Sequence, residues 1–161
     1  MSSQTFQPQP NIKSNMFYIV QSSTSCWICK KTTEVACIVV PQGHESFESD
    51  SWLPSEYAAS LNELEYLNDE PLTILGRLAP SCFLDYSQQA DHSYLMNHCS
   101  HCRAKLGDFY LHSEPGGPFF PITSEDYKAI HIQRFDIAIE AEASTSIGPL
   151  AEFLEAKHEC T

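Results

Sequence analysis

The stretch MFYIVQSSTSCWICKKTTEVACIVV, residues 16–40, decides how this chain begins to fold. Residues 16–21 and 34–40 are short apolar segments rich in β-branched and aromatic side chains, which is typical of β-strands. The second segment stops at Pro41, which has no backbone N–H for a strand ladder. Cys26 and Cys29 lie between the two segments in C-x-x-C spacing, so we predict that this pair occupies the turn of a hairpin.

A second C-x-x-C pair, Cys99 and Cys102, follows after 69 intervening residues. Thiolates three residues apart on a tight turn converge on one ion, and zinc prefers four tetrahedral ligands. An insertion that contains helices and strands can return the chain to the same place. The sequence therefore predicts one structural zinc ion bound by Cys26, Cys29, Cys99 and Cys102.

Other interpretations of these residues stay open at this point. His98 and His101 flank Cys99, and either imidazole could replace a thiolate. A thioredoxin-like redox site should begin a helix after a strand, whereas a strand is predicted after Cys29. Three further cysteines are predicted to be structural or free: Cys37 and Cys82 lie in apolar segments and are assigned to the core, and Cys160 near the C-terminus is predicted to be a free thiol.

Local patterns assign the remaining segments to strands, helices and loops. We predict further strands over residues 61–68, 93–97, 108–112 and 130–143, the last with a β-bulge near residues 133–134. We predict helical pieces over residues 55–60, from Pro71, 81–86 and 149–157, with loops over 42–60 and 113–121. This mixture shows no βαβ rhythm, so the expected fold class is α+β, with a mainly antiparallel sheet, short helices and two zinc knuckles that close one four-cysteine site.

The N-terminal segment differs in composition from the rest. Residues 1–15 are polar and rich in Pro, Gln and Ser, which predicts a disordered tail before a single domain over residues 16–161. The segment lacks the basic and then apolar order of a signal peptide, and no stretch is long enough to span a bilayer. We therefore expect a cytoplasmic protein, where thiols stay reduced and cysteines hold metal.

The charge balance is strongly acidic. Nine Lys and Arg against 21 Asp and Glu give a net charge of −12, which argues against binding to nucleic acid or an anionic membrane. Residues 42–76 contain eight acidic side chains and no Lys or Arg. These acids either keep the protein soluble or form a docking face for a basic partner, for which we select Glu63, Glu65, Asp69 and Glu70. Phe119 and Phe120 are the alternative anchors, although they are also predicted to fold back onto the core.

Two stretches together carry a resemblance. They are Cys26-Trp-x-Cys29 with Thr33-x-Val35, and Asn97-His-Cys99-x-x-Cys102 with the block from Gly107 to Pro121, GDFYLHSEPGGPFFP. About a third of the chain thus resembles a family of small uncharacterised bacterial proteins that pair a CWxC knuckle with an NxCxxC…GDFxLHxEPGGxFFP block. The resemblance implies a bacterial protein with zinc-linked knuckles. It implies no activity.

Two classes of function follow from these residues. The first is a non-catalytic binding protein, specifically an acidic immunity protein that neutralises a basic, nuclease-like bacterial toxin. The second is a zinc-dependent enzyme that uses His98, His101 or His112 beside the metal, and a zinc-ribbon adaptor is a further alternative. Four thiolates close the coordination shell, and the order His112-Ser113-Glu114 after the second cysteine pair does not fit a zinc deaminase. The sequence therefore favours the non-catalytic class.

Overall fold

The computed structural model describes residues 7–159 of the chain, with the side chains of residues 157–159 left out of the description. Eleven strands and four helices lie in this range. The strands are β1 Ile12–Ser14, β2 Phe17–Ser25, β3 Thr32–Val40, β4 Glu45–Glu48, β5 Ser51–Pro54, β6 Ala59–Leu67, β7 Cys82–Ser87, β8 His92–His98, β9 Lys105–Leu106, β10 His131–Phe135 and β11 Ile139–Ser146. The helices are α1 Asp69–Leu78, α2 Asp108–Ser113, α3 Ser124–Lys128 and α4 Pro149–Glu159.

The strands form two sheets. The larger has eight strands in the order β10-β2-β3-β6-β11-β1-β4-β5, and the smaller has three in the order β7-β8-β9. The strand pairs of both sheets are antiparallel. The predicted fold class, α+β with a mainly antiparallel sheet and short helices, is confirmed.

Both faces of the larger sheet are buried at its central strands, because alternate side chains there enter different cores. In β2, Phe17 and Ile19 join the core that Ile74 and Leu75 of α1 complete. The neighbouring side chain of Val20 belongs to a second core, which includes Leu111 of α2 together with Leu150 and Leu154 of α4. Each buried apolar side chain of this size contributes roughly 1.5–3 kcal/mol of transfer free energy. The sheet therefore holds a layer of structure on each side.

Several predicted elements are confirmed. The strands expected over residues 16–21, 34–40, 61–68 and 93–97 are β2, β3, β6 and β8. The helix expected from Pro71 is α1, whose first turn begins two residues earlier with Asp69 and Glu70, and the helix expected over 149–157 is α4. Acidic side chains in a first turn interact favourably with the helix dipole.

The loop and helical turn predicted within residues 42–60 are wrong, because this segment contains the β4–β5 hairpin. Its two turn residues, Ser49 and Asp50, have φ values of +50° and +64°. Positive φ at both central positions is the geometry of a tight hairpin turn that Asn-Gly usually signals. Since Ser-Asp replaces that signal here, the sequence did not reveal the hairpin.

Two further elements were assigned to the wrong class. The helical piece predicted over residues 81–86 is strand β7, which pairs with β8 from Cys82↔Asn97 to Ser87↔His92. The strand predicted over 108–112 is helix α2. In both segments the partner elsewhere in the fold decides the backbone conformation, because the local pattern is too short to do so.

The β-bulge predicted near residues 133–134 is also absent from its expected position, since β10 pairs with β2 in unbroken register. The change of phase has another cause. Ile132 packs on one core and Phe135 packs on the other. Both faces of β10 are thus covered, so apolar residues occur on both faces of the strand and the alternation changes phase without a bulge. The register shift of this region lies instead between Glu142 and Ser144, where β11 pairs with β6.

The predicted disordered tail over residues 1–15 does not hold for its last part. Ile12–Ser14 forms β1, which lies between β11 and β4, and Ile12 is 2% exposed. Ile12 is an isolated apolar residue among polar ones, so the sequence shows no strand pattern here. Its burial nevertheless fixes β1 in the sheet. Residues 1–6 lie outside the described range. None of the helices in the part of the chain that the structure describes is long and apolar enough to cross a membrane.

Candidate metal centre

The two C-x-x-C pairs occupy turns at the ends of two hairpins. The first turn joins β2 to β3, as predicted, and the second joins β8 to β9. In the first turn the N–H of Lys30 donates to Cys26 O at 3.0 Å, and the N–H of Cys26 donates to Lys31 O at 2.9 Å. A loop held at both ends in this way points its two thiols in one direction.

The second turn repeats the same hydrogen bonds. The N–H of Arg103 donates to Cys99 O at 2.9 Å, and the N–H of Cys99 donates to Ala104 O at 2.9 Å. The residue after each second cysteine has the left-handed conformation, with φ values of +66° at Lys30 and +65° at Arg103. Left-handed backbone costs non-glycine residues free energy, so its presence at both positions indicates that the turns are fixed by the surrounding structure.

The sulfur atoms of Cys26, Cys29, Cys99 and Cys102 lie within 4.8 Å of one another. Cys26 Sγ is 3.6 Å from Cys102 Sγ, and Cys29 Sγ is 3.7 Å from Cys99 Sγ. A disulfide would require about 2.05 Å between sulfurs. The structure thus brings together all four predicted ligands, unbonded, in a cluster suited to a metal ion.

Backbone donors favour the thiolate form of two of these ligands. The N–H of Cys29 is the main cause that lowers the pKa of Cys26, and the N–H of Cys102 is the main cause that lowers the pKa of Cys99 to about 6. The pKa of Cys102 is raised to about 11: the N–H of Ala104 lowers it, but burial and the other thiols of the cluster outweigh that effect. Thiolates this close together repel one another, and a bound cation would offset their negative charge. The cluster therefore has the chemistry of a metal site.

Side chains outside the pairs connect the two turns. The indole Nε1–H of Trp27 donates to Lys105 O at 3.1 Å. On the other side the N–H of Ser100 donates to Thr33 Oγ1 at 3.0 Å, and His101 Nε2 lies 3.1 Å from Thr32 O. These bonds join β3 and β9 to the opposite turn, so the four sulfurs are positioned by the protein itself.

The structure resolves whether a histidine replaces a cysteine ligand. His98 is buried, with Nδ1 3.0 Å from Ser81 O and Nε2 2.8 Å from Asp85 Oδ2, and its ring stacks on Phe83. His101 bonds the backbone of Thr32. Within the described residues the metal-ligating atoms that cluster are the four sulfurs alone. The histidines act as structural contacts around the site.

His112, the third histidine considered for catalysis, lies on α2 beside Phe119, with ring centroids 4.9 Å apart. Burial lowers the pKa of His112 to about 4, so its imidazole is neutral at physiological pH. It does not belong to the cysteine cluster. Its contact with Phe119 helps to hold the loop that follows α2.

The acidic residues chosen for a partner face fall into two environments. Glu63 and Glu65 are half-buried and enclose His92, whose Nε2 lies 3.2 Å from Glu63 Oε2 and whose Nδ1 lies 2.7 Å from Glu65 Oε1. Asp69 and Glu70 are exposed in the first turn of α1. The first pair therefore has an intramolecular partner, and the second pair has a role at a helix terminus.

Phe119 and Phe120 fold back onto the core, as the sequence predicted for this loop. Phe119 is 3% exposed and its N–H donates to Leu111 O at 3.1 Å, while Phe120 is half-buried. A side chain this deeply buried cannot anchor a partner, so the alternative role given to Phe119 is corrected. Cys37 and Cys82 are both buried, as predicted, and Cys160 lies outside the described residues.

Comparison with known proteins adds no family to this geometry. No protein-family model, no curated protein and no solved structure matches the chain. The resemblance to small bacterial proteins with CWxC and GDFxLHxEPGGxFFP motifs therefore stays a prediction. The metal centre is supported by its own donor set and spacing.

Proposed function

We propose that the protein is a non-catalytic zinc-binding protein and that its cysteine cluster is a structural tetrathiolate site. The supporting observation is the pair of sulfur separations, 3.6 Å and 3.7 Å. A tetrahedron with zinc–sulfur bonds of about 2.3 Å has edges of about 3.8 Å, so these two separations match the edges of a tetrahedral zinc site, and all four sulfurs lie within 4.8 Å of one another. In this proposal the two cysteine turns are the zinc knuckles.

A structural role follows from the composition of the shell. Zinc in a catalytic site keeps a position for water or substrate, whereas four thiolates fill a tetrahedral site. When bound, the ion would neutralise the thiolates and join the β2–β3 hairpin to the β8–β9 hairpin. The experiment is elemental analysis of purified protein, with one zinc per chain as the expected result. Absence of metal after preparation without chelators would overturn the zinc assignment.

The proposed activity is binding of a basic protein partner through an acidic surface. The net charge of −12 supports this choice, because opposite charge speeds encounter and disfavours wrong partners. The β4–β5 hairpin at the edge of the larger sheet is the best-suited surface among the acidic segments. It exposes Glu45 and Glu48, and beside them Phe47 and Leu53 are 44% and 48% exposed. Exposed apolar side chains within an acidic rim resemble the arrangement of protein interfaces.

The specific form that we propose is an immunity protein that neutralises a nuclease-like bacterial toxin. A nuclease is often basic because its substrate is a polyanion, and an acidic inhibitor complements that surface. The test is to read the genes beside this one, where a toxin-like gene is expected, and to co-express that gene with this protein; a neighbourhood without such a gene would count against immunity. Restored growth is expected, together with a complex of the two proteins on a sizing column. Continued toxicity at matched expression would overturn the immunity role and leave the metal assignment unaffected.

A further inference from the structure

A cleft of about 640 Å³ opens beside the cysteine cluster. It is lined by residues of the first cysteine turn, of β9 and of the start of α2, including Trp27, Leu106 and Phe109. Its volume lies within the range of roughly 300–1,000 Å³ that small-molecule sites occupy. No residue of the β4–β5 hairpin, the proposed partner surface, lines the cleft. A function of the cleft would therefore be separate from the binding of that partner.

Several exposed aromatic side chains line the cleft. Trp27, Phe109 and Tyr110 all line it, and their exposed fractions are 64%, 75% and 52%. Large aromatic side chains usually bury their rings, because each ring contributes a large apolar area. Three exposed rings around one cavity offer flat faces on which another planar ring can stack. The geometry favours a planar aromatic ligand.

Two lysines give the cleft a positive charge within an acidic protein. Lys30 Nζ donates to Trp27 O at 2.8 Å, and Lys105 Nζ donates to Tyr86 O at 2.6 Å. These bonds fix the ammonium groups, each of which has three donors and so retains capacity for an anion. Lys105 has one carboxylate nearby, Asp85 at 3.7 Å, and Lys30 has no carboxylate within 4.0 Å among residues 7–156.

One carboxylate, that of Glu63, also lines the cleft. Its Oε2 lies 3.2 Å from His92 Nε2, so its charge already has a partner on the neighbouring strand. The hydroxyl of Tyr94, another lining group, accepts the N–H of Asp108 at 3.1 Å. His92 is shared between Glu63 and Glu65, and Lys105 has Asp85 as its counter-ion. Among the charged side chains of the cleft, Lys30 is therefore the one without a counter-ion within the described residues, and Lys105 adds a further ammonium donor.

We infer that the cleft beside the cysteine cluster binds a planar aromatic small molecule that carries an anionic group, with its ring between Trp27 and Phe109 and its anion at Lys30 and Lys105. This site is independent of the proposed protein partner, because it uses a different surface and the opposite charge.

The test is an NMR titration of the intact, metal-loaded protein with 2-naphthoate and with its uncharged counterpart 2-naphthamide. The chain has two tryptophans, so their indole N–H resonances provide an internal comparison. Saturable shifts are expected at Trp27 and not at Trp52, which lies on β5. The carboxylate should bind about fivefold more tightly than the amide at low salt, and less so at high salt.

Variants separate the two contributions. Phe109→Ala should weaken both probes, and Lys30→Gln should weaken the carboxylate about fivefold while leaving the affinity for the amide unchanged. Because Lys30 lies in the first cysteine turn, the parent and this variant are compared at equal, measured zinc content. Lys128→Gln is the matched control, because Lys128 is exposed on α3 and does not line the cleft. Equal affinity for the two probes would overturn the anion preference. Shifts centred on Trp52, or no saturable shift at Trp27 up to millimolar probe, would overturn the site.

Discussion

The side-chain amide of Asn97 forms both of its hydrogen bonds with the backbone of a single residue, Ala36. The N–H of Ala36 donates to Asn97 Oδ1 at 2.9 Å, and Asn97 Nδ2 donates to Ala36 O at 2.9 Å. This occurs where β3 lacks a neighbouring strand on the side away from β2, since β3 pairs with β6 only at Val39 and Val40. Asn97 thus replaces a missing strand, joins the two sheets, and fixes the start of the turn that carries Cys99.

We therefore predict that Asn97→Ala destabilises the protein by roughly 2–5 kcal/mol, because two buried backbone groups lose their partners. Asn62→Ala is the matched control. Asn62 Oδ1 is buried without a partner within the described residues, so its removal should change stability little. Chemical denaturation of both variants measures the difference. Similar losses in the two variants would contradict the role given to Asn97.

The second prediction concerns the metal ligands. Replacing Cys99 with serine should abolish zinc binding, lower the melting temperature by roughly 10 °C and make it insensitive to chelator. The physical reason is that the ion binds the folded protein, where four thiols distant in sequence lie together, in preference to the unfolded chain, so the loss of binding removes this stabilisation. Cys82→Ala, a buried cysteine outside the cluster, should retain one zinc per chain and the response to chelator. A Cys99→Ser protein that melts like the parent would show that the metal is not structural.

The third prediction concerns Asp108, whose carboxylate Oδ2 accepts the N–H of Glu63 at 2.7 Å. Burial raises the pKa of Asp108 to about 7, although the N–H of Glu63 acts in the opposite direction. The folded protein therefore retains a proton that the unfolded chain releases near pH 4. The contribution of Asp108 to the free energy of unfolding should fall as pH rises from about 4 to about 7, by an amount on the order of a few kcal/mol. Buried His112 contributes in the opposite direction over part of this window, so the test compares a variant with the parent.

Asp108→Asn tests this, because asparagine can still accept the N–H of Glu63 and does not ionise. Relative to the parent, the variant should gain stability as pH rises through this window. Melting temperatures at half-unit pH intervals give the comparison, with Asp69→Asn on the exposed first turn of α1 as control. Parallel pH profiles for the parent and Asp108→Asn would refute the assignment.

The metal centre could be predicted from sequence because its signal is local. Each C-x-x-C pair specifies its own turn, and zinc chemistry joins two such turns whatever lies between them. Chain topology did not have to be known. The hydrogen bonds that connect the two turns could not be predicted from sequence, because Thr33 and Lys105 contact the opposite turn only after both hairpins have packed.

Helix α2 shows why other elements were missed. Asp108–Ser113, DFYLHS, alternates like a strand in sequence, yet the chain is helical, with Leu111 fully buried and Phe109 exposed. Its backbone is fixed by distant groups: the Asp108 carboxylate receives Glu63 N–H, and Leu111 O receives Phe119 N–H. Six residues are too few for propensity to outweigh such contacts. The same reasoning applies to β7, whose hairpin partner β8 decides its conformation.

The fourth prediction concerns the proposed docking of a basic partner on the acidic hairpin. Glu63 and Glu65 are unsuitable for charge reversal, because lysine there would face His92 and disturb the fold. Glu45 and Glu48 on the β4–β5 hairpin and Glu56, two residues after it, are exposed, so their simultaneous replacement by lysine should leave the melting temperature nearly unchanged. The association rate with a basic toxin should fall at least tenfold at low salt, and its salt dependence should flatten.

The matched control for this test reverses Glu114, Glu125 and Glu152, which are exposed in the loop after α2 and on α3 and α4. Both triple variants change the net charge by the same amount. A difference between their association rates therefore reports a local docking face, and equal rates report attraction by the overall charge. The hairpin variant should slow association far more than the control. If both slow it equally, the partner responds to net charge alone, and if neither does, the acids serve solubility. Either result would remove the hairpin as the interface, and stopped-flow association at two salt concentrations distinguishes them.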